Sequence, residues 1–530
     1  MIFDINNIYV YNRGAMENIK KERTVATVIS WSTIFIQVLI SIFFVPFFLG
    51  KVGDKEYGLY SFSSSLISWI DTLVIAFTSA YYRFLTREKK NHGEKGESET
   101  LGVFLKIFFI VFLIVLVFGL GFNSLIFFKI IPLNEYTSSE VNKISLIILM
   151  SILSSSITSL LNVGKAYPYY KQKYIFAYII PLLQVILQTG LSVVALKLGC
   201  GVVVVALIHF GTMAILSSFQ MLYSRVFLGM RINLKSSGED KAYKKMLTKE
   251  ILIFTSFILL NTVVDIFNKN IDKILLGFRN ADSVSVYQLA LTIPNYLISF
   301  TSIISVVFSQ KVNDAYYNGE GIKEIDEIFL KASKIQILLT FLLVGGFLAC
   351  GKDFIILWIG KERLTVFYIA CILMVLYSLT CSNGLNVAAR RATNNHKKAA
   401  VIYLGIVLTN AIASIVTMLL IDKQYAIWAC VLGTFVTYIL GQWVLMQIYD
   451  KKTVGISTDK FFKDFILYFI VIIPISILIS FVFDLIKISN MALFIIKGCV
   501  FVIFYLLFVL LKDRIFVFAL LKGIKNGKEK

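Results

Sequence analysis

The chain has 530 residues, 58% of them hydrophobic and only 16% charged, with a formal net charge of +20. Soluble domains carry roughly 25% charged and 45–50% apolar residues, so a soluble globular protein is excluded. The lysines and arginines lie scattered in short loops between apolar runs, which argues for topology determinants and against a nucleic-acid partner.

In chain order, a basic leader over 1–23 contains "MENIKKER" from Met16, itself a sufficient start for a cytoplasmic leader. The first apolar run, 24–49, is too long for the core of a signal peptide and ends in no small-residue cleavage site. Further runs follow at 59–83, 101–122, 143–163, 175–196 and 201–223. A basic loop leads to 251–276, 284–309, 334–359, 365–389, 399–420 and 425–448, and two last runs cover 464–484 and 491–511. Each is long enough to cross a bilayer, and scarce Pro with no two-residue alternation favours helices over a barrel. The expected fold is an all-α polytopic membrane protein of about 14 transmembrane helices. Counting Lys and Arg in alternate loops gives about 37 on the side of the N-terminus against about 14 on the other, which places both termini in the cytoplasm.

The chain also carries a faint duplication. "EYGLYSF" matches "SVSVYQL", "NHGEKGE" matches "YNGEGIKE", and "LNVGK" at Leu161 matches "LNVAAR" at Leu385, all at nearly one offset. Six spans separate the copies, so they share one orientation, the arrangement of carriers that bind substrate between two halves. The reading therefore divides the chain into a leader (1–23), an N-lobe with helices 1–6 (24–249), a C-lobe with helices 7–12 (250–463) and a C-terminal pair with a basic tail (464–530).

Ionisable residues inside spans are costly and are candidates for function. Asp71 lies about 18 Å from the outer start of the second run, near the midplane, and reads as cavity lining, an ion-coupling group or a structural hydrogen-bond partner. Arg83 stands at the cytoplasmic end of the same run. Lys106 is one turn into the third run and can snorkel. In the seventh run Asn261, Asp265 and Lys269 follow helical spacing on one stripe, the first two about 15 and 21 Å from the cytoplasmic end. Gln37 occupies a comparable place in the first run. Gln184 and Gln188 in the fifth run either contact a polar substrate or hold neighbouring helices together. His209 is a lone histidine, and Pro46, Pro181, Pro294 and Pro474 are candidate kinks. The six cysteines have no metal or disulfide spacing, and no P-loop, nucleophile elbow, GxGxxG or HExxH motif occurs.

Four stretches carry a resemblance: "VPFFLGKVGDKEYGLYSF", "SWIDTLVIAFTSAYYRFL", "NKNIDKILLGFRNADSVSVYQLA" and "RRATNNHKKA". With six, six and two helices, the chain resembles the polysaccharide (O-antigen-type) flippase branch of the multidrug/oligosaccharidyl-lipid/polysaccharide exporter superfamily. It departs from that pattern at Thr72 and Leu73, where family members carry a Gly soon after the Asp. The resemblance implies a flippase of a bacterial inner membrane that moves a polyprenyl-diphosphate-linked oligosaccharide to the outer leaflet. Its context would be surface polysaccharide (O-antigen, lipopolysaccharide, capsule or exopolysaccharide) biosynthesis, with a polysaccharide polymerase and glycosyltransferases as partners. On that reading Arg83 is either a positive-inside anchor or a diphosphate contact. No cofactor is expected; a proton or sodium gradient would supply the energy, with Asp71 or Asp265 as the first residues to test. The alternatives are a cation-coupled multidrug efflux carrier and a membrane glycosyltransferase or polymerase, the last disfavoured by the short outer loops.

Overall fold

Lipid offers a backbone no hydrogen-bond partners, so each apolar run must satisfy its own N–H and C=O groups as a helix. The computed structural model describes residues 3–131, 133–234, 239–317, 321–393, 395–422, 425–486 and 489–527, and among them every regular element is helical. Among the described residues, twelve stretches are long and apolar enough to cross a membrane. They coincide with twelve of the fourteen runs above. The other two, 59–83 and 251–276, are helical but contain residues whose side chains lie outside the described set.

The chain packs as two units, Met1–Ser285 and Val286–Lys530. The sequence reading set its lobe boundary after residue 249, from the repeat; packing instead keeps the following helix with the first unit.

The first unit opens with α1 (Phe3–Phe127), whose helical course is broken at Gly53 (φ 80°) and Gly93 (φ 61°). It continues with α2 (Ser138–Tyr170), α3 (Tyr174–Lys197), α4 (Val202–Val226) and α5 (Glu239–Gly277), and includes the start of α6 (Ala281–Tyr317). A left-handed φ suits glycine alone at little cost, which is why the breaks fall there. Pro46, Pro181, Pro294 and Pro474 all lie within helices. The second copy of the repeat shows the same punctuation. There α5 ends at Gly277, and the glycine at the first described position of α7 (Gly321–Ile359) has φ 86°, 228 residues after Gly93.

The second unit holds most of α6, then α7 and α8 (Leu364–Ser382), followed by the short α9 (Asn386–Ala392) and α10 (His396–Leu420). Next come α11 (Ala426–Tyr438), α12 (Met446–Tyr449), α13 (Thr458–Asp484) and α14 (Asn490–Gly527), with π-helical stretches Ile439–Leu445 and Asp450–Val454 around α12. The run 365–389 was expected as one helix. It breaks over 383–385, where Gly384 lies so close to α6 and α7 that a Cβ there would stand 2.6 Å from Ser305 Oγ and 3.1 Å from Gln336 Nε2.

Helices α13 and α14, which lie outside the duplication, are built into the core of this unit against α7. Phe341, Phe465, Tyr468, Phe501 and Tyr505 are buried together. Gly345 permits the approach, since a Cβ there would sit 2.6 Å from both Ile472 and Phe501. Two ionic clusters close the ends. At one, Lys334 pairs with Asp464 (2.9 Å) and Asp513 (2.8 Å), and Lys512 joins Asp464 (3.1 Å). At the other, Lys352 pairs with Asp484 (2.6 Å), and the fully buried Lys497 lies between Asp353 (2.7 Å) and Asp484. Lys334 and Lys352 are about 27 Å apart along α7, close to the ~30 Å of a bilayer's hydrocarbon core. The charges therefore mark its two faces.

Candidate functional site

Asp71, Arg83, Asn261, Asp265 and Lys269 belong to two helices that pair, α5 and the segment of α1 between Gly53 and Gly93. At one end the backbones nearly touch. A Cβ on Gly58 would overlap the Ala281 carbonyl, one on Gly277 would overlap the Phe62 ring, and Tyr136 Oη donates to the Gly277 carbonyl. Phe62 also meets Phe278 edge-on at 5.6 Å.

At the other end the contacts are cationic and aromatic. The Arg83 guanidinium lies 4.5 Å over the Phe254 ring, and Phe84 packs edge-on against that ring at 5.9 Å. Arg87 bridges Glu88 (2.5 Å) and Glu250 (2.7 Å), and Tyr243 donates to Glu88. Burial and the adjacent Glu88 push the Tyr243 phenol well above its ordinary pKa.

These contacts share one antiparallel register: Phe62 with Gly277, Phe84 with Phe254, Arg87 with Glu250. That register sets residue 71 level with about residue 267. The backbones of Asp71 and Asp265 therefore lie at nearly the same depth in the first unit, with Asn261 about one turn from Asp265 toward the Arg83 end. The side chains of Asp71, Asn261 and Asp265 lie outside the described residues.

The remaining predicted residues are spread more widely. Arg83 is exposed apart from its aromatic contact, and Lys269, Lys106 and Gln37 are exposed on α5 and α1. Gln184 and Gln188 are half-buried, one turn apart on α3. The described contacts do not bring α3's glutamines to the α1/α5 seam.

Three polar centres were not singled out from sequence. The nearly buried Glu97 accepts from Tyr167 Oη (2.6 Å) and pairs with Lys89 (2.7 Å) and Lys171 (2.7 Å), just beyond the break at Gly93. Burial pushes the Lys171 ammonium below its ordinary pKa, with Lys89 adding to the effect against the pull of Glu97. In the second unit the fully buried Asp450 takes both Arg390 Nε and Nη2 (2.6 Å each) and Asn386 Nδ2 (2.7 Å). The third is the Lys497 pair at the end of α14. The sequence signals near these were the repeated "NHGEKGE", which ends at Glu97, the repeated "LNV", which contains Asn386, and "RRATNNHKKA", which begins at Arg390. Among the described residues no group of His, Cys, Asp and Glu could hold a metal ion, and all six cysteines are free thiols.

A multi-pass helical protein with two helical units, a six-helix repeat and two further helices is the class that this architecture defines. No family model matches the chain, and no curated protein matches it. Solved structures do. The chain is similar to a lipid II flippase MurJ in an inward closed conformation, with TM-score 0.71 and 16% identity, over 93% of this chain and 100% of that one. It is also similar to an inward-facing multidrug resistance MATE transporter of the MOP superfamily, with TM-score 0.59 and 15% identity, over 81% of this chain and 99% of that one. A MOP superfamily transporter from Pyrococcus furiosus matches with TM-score 0.52 and 16% identity, over 82% and 96%. The fold is thus that of the MOP exporters, a fold used by transporters and flippases.

Proposed function

We propose that the protein is a flippase that moves a polyprenyl-diphosphate-linked oligosaccharide from the cytoplasmic to the outer leaflet by alternating access, for export of a surface polysaccharide such as O-antigen or capsule. The observation that carries this reading is the extent of the likeness to the lipid II flippase, 93% of this chain against 81–82% for the MATE transporters. The added share is comparable to the length of α13 and α14. A lipid-linked substrate accords with a polar seam inside a membrane protein, since the glycan and diphosphate need polar groups while the tail stays in lipid.

In this reading the α1/α5 seam handles the polar headgroup. Arg83 stands at the cytoplasmic mouth as a diphosphate contact, and Asp71, Asn261 and Asp265 line the deeper part, with Gln37, Lys269, Gln184 and Gln188 as further polar contacts. Transport is driven by a proton or sodium gradient through Asp71 or Asp265 and needs no bound cofactor. The protein resides in a bacterial cytoplasmic membrane with both termini inside, and works with glycosyltransferases and a polymerase. The second reading is multidrug efflux, favoured by the MATE likeness. Deleting the gene and extracting lipids separates the two. Accumulated lipid-linked repeat units with unchanged drug sensitivity are expected; unchanged lipids with increased drug sensitivity would overturn the flippase.

A further inference from the structure

The end of the α1/α5 pairing away from Arg83 is covered by the loop 128–137, which joins α1 to α2. Lys129 holds a left-handed φ of 57°, a conformation that is costly for a residue with a side chain and persists only where its surroundings enforce it. Ile131 N–H donates to the Leu125 carbonyl (3.1 Å), and Lys129 Nζ donates to Ser138 Oγ (2.9 Å). Thr137 then caps α2: its hydroxyl accepts from Glu140 N–H (3.4 Å), and the Glu140 carboxylate accepts from Thr137 N–H (2.9 Å).

Phe128 and Ile130 in this loop are exposed, but Leu133 and Tyr136 are buried. Tyr136 reaches α5. Its hydroxyl donates to the carbonyl of Gly277, the last residue of that helix, where carbonyls have no intrahelical donor. Its ring lies parallel to Phe62, with 2° between planes and 6.2 Å between centroids, and Phe62 is the side chain against which Gly277 packs.

The base and the tip of the loop are held by different parts of the chain. At the base, Lys55 pairs with Glu140 (2.5 Å) and Lys143 pairs with Glu56, which fastens the start of α2 to the α1 segment that begins at Gly53. All four residues lie in the first copy of the repeat, so these ties survive a rocking of one copy against the other. The tip holds α5, the first helix of the second copy. A contact between copies at one end has to part whenever that end opens.

We propose that the loop 128–137 is a strap over the outer mouth: latched by Tyr136 on Gly277, it holds that end of the α1/α5 pairing shut, and its release admits the outward-open state. The strap rests on the alternating access proposed above, with Arg83 at the cytoplasmic end, but on no particular transported molecule.

The test reads accessibility in the full chain and needs no substrate. Ser65→Cys places a thiol one turn inside Phe62 on the same face of α1, and Thr255→Cys places one beside Phe254 at the opposite end; both positions are buried. A membrane-impermeant maleimide is applied to intact cells for the first and to inside-out vesicles for the second. Labelling is read at the peptide that carries the new thiol, apart from the six native cysteines. Tyr136→Phe deletes the hydroxyl and keeps the ring. It should raise the outer labelling rate of Ser65→Cys by about tenfold, the loss of one buried hydrogen bond from the closed state. The cytoplasmic labelling of Thr255→Cys should not rise, because the two ends do not open together. Lys55→Gln, which loosens the base, should raise the outer rate by about twofold. Unchanged outer labelling in both variants would overturn the strap. A rise at both ends would overturn it as well and leave Tyr136 as a packing residue of the fold. Labelling of Ser65→Cys in inside-out vesicles alone would overturn the proposed orientation and with it the outer placement of the strap.

Discussion

Gly93 and Gly321 share a left-handed φ 228 residues apart, and at that offset Phe77 and Phe108 in the first unit correspond to Ser305 and Gln336 in the second. The first pair packs edge-on as two rings, 6.3 Å between centroids. The second is a hydrogen bond of 2.7 Å. One repeated helix pair thus has an apolar filling in one copy and a polar one in the other. The helix break thus recurs while the interior of this helix pair differs between the two units.

Four perturbations would break or sharpen this contrast. The largest effect is expected where the second unit buries a charge that the first has no counterpart for in this comparison. Lys497→Met leaves Asp353 buried without its ammonium and should destabilise by about 3–5 kcal/mol, read as a fall in the thermal midpoint. Next, Phe108→Ala opens a cavity in the first unit and should cost about 3 kcal/mol or more by the same measurement; a loss below ~1 kcal/mol would show that the ring pair is not a packed core. Gln336→Leu removes the donor to Ser305 but also a buried carbonyl with no partner among the described residues. Its net cost should stay near ~1 kcal/mol, and a loss above ~3 kcal/mol would show that the bond to Ser305 outweighs the removal of the unpaired carbonyl. The smallest effect on stability is expected for Arg83→Ala, about 0.5–1 kcal/mol for a partly exposed cation over Phe254. Its effect on export should be larger than that, and normal export at normal abundance would leave Arg83 as a topology anchor only.

Much of the fold was legible because the bilayer forces it. An apolar run of about 20 residues has no alternative to a helix, so the runs coincide with helices. Gly93 and the matching "NGEG" were visible as a repeat, and the same break recurs at Gly321. Which helix lies beside which was not legible. The spacing of Asn261, Asp265 and Lys269 gave a stripe on α5, but only the contacts of Phe62, Phe84 and Arg87 show that α5 pairs with the α1 segment that carries Asp71. The polar side chains buried in the second unit were hidden for another reason. Ser333 stands just before the run 334–359 and Gln336 and Thr340 near its start, and Gly384 read as part of a continuous helix. Each of the three carries an oxygen with no hydrogen-bond partner among the described residues, and pairing is a property of three dimensions.

The central claim is that the α1/α5 seam passes a lipid-linked glycan across the bilayer. The most direct measurement is movement of a fluorescent polyprenyl-diphosphate-linked oligosaccharide across liposomes containing the purified chain, with Asp265→Asn alongside. The account predicts protein-dependent movement that falls at least about tenfold in the variant, the size of an effect of about 1.4 kcal/mol on the barrier. Equal rates for wild type and a correctly inserted variant, or no movement above empty liposomes, would contradict it.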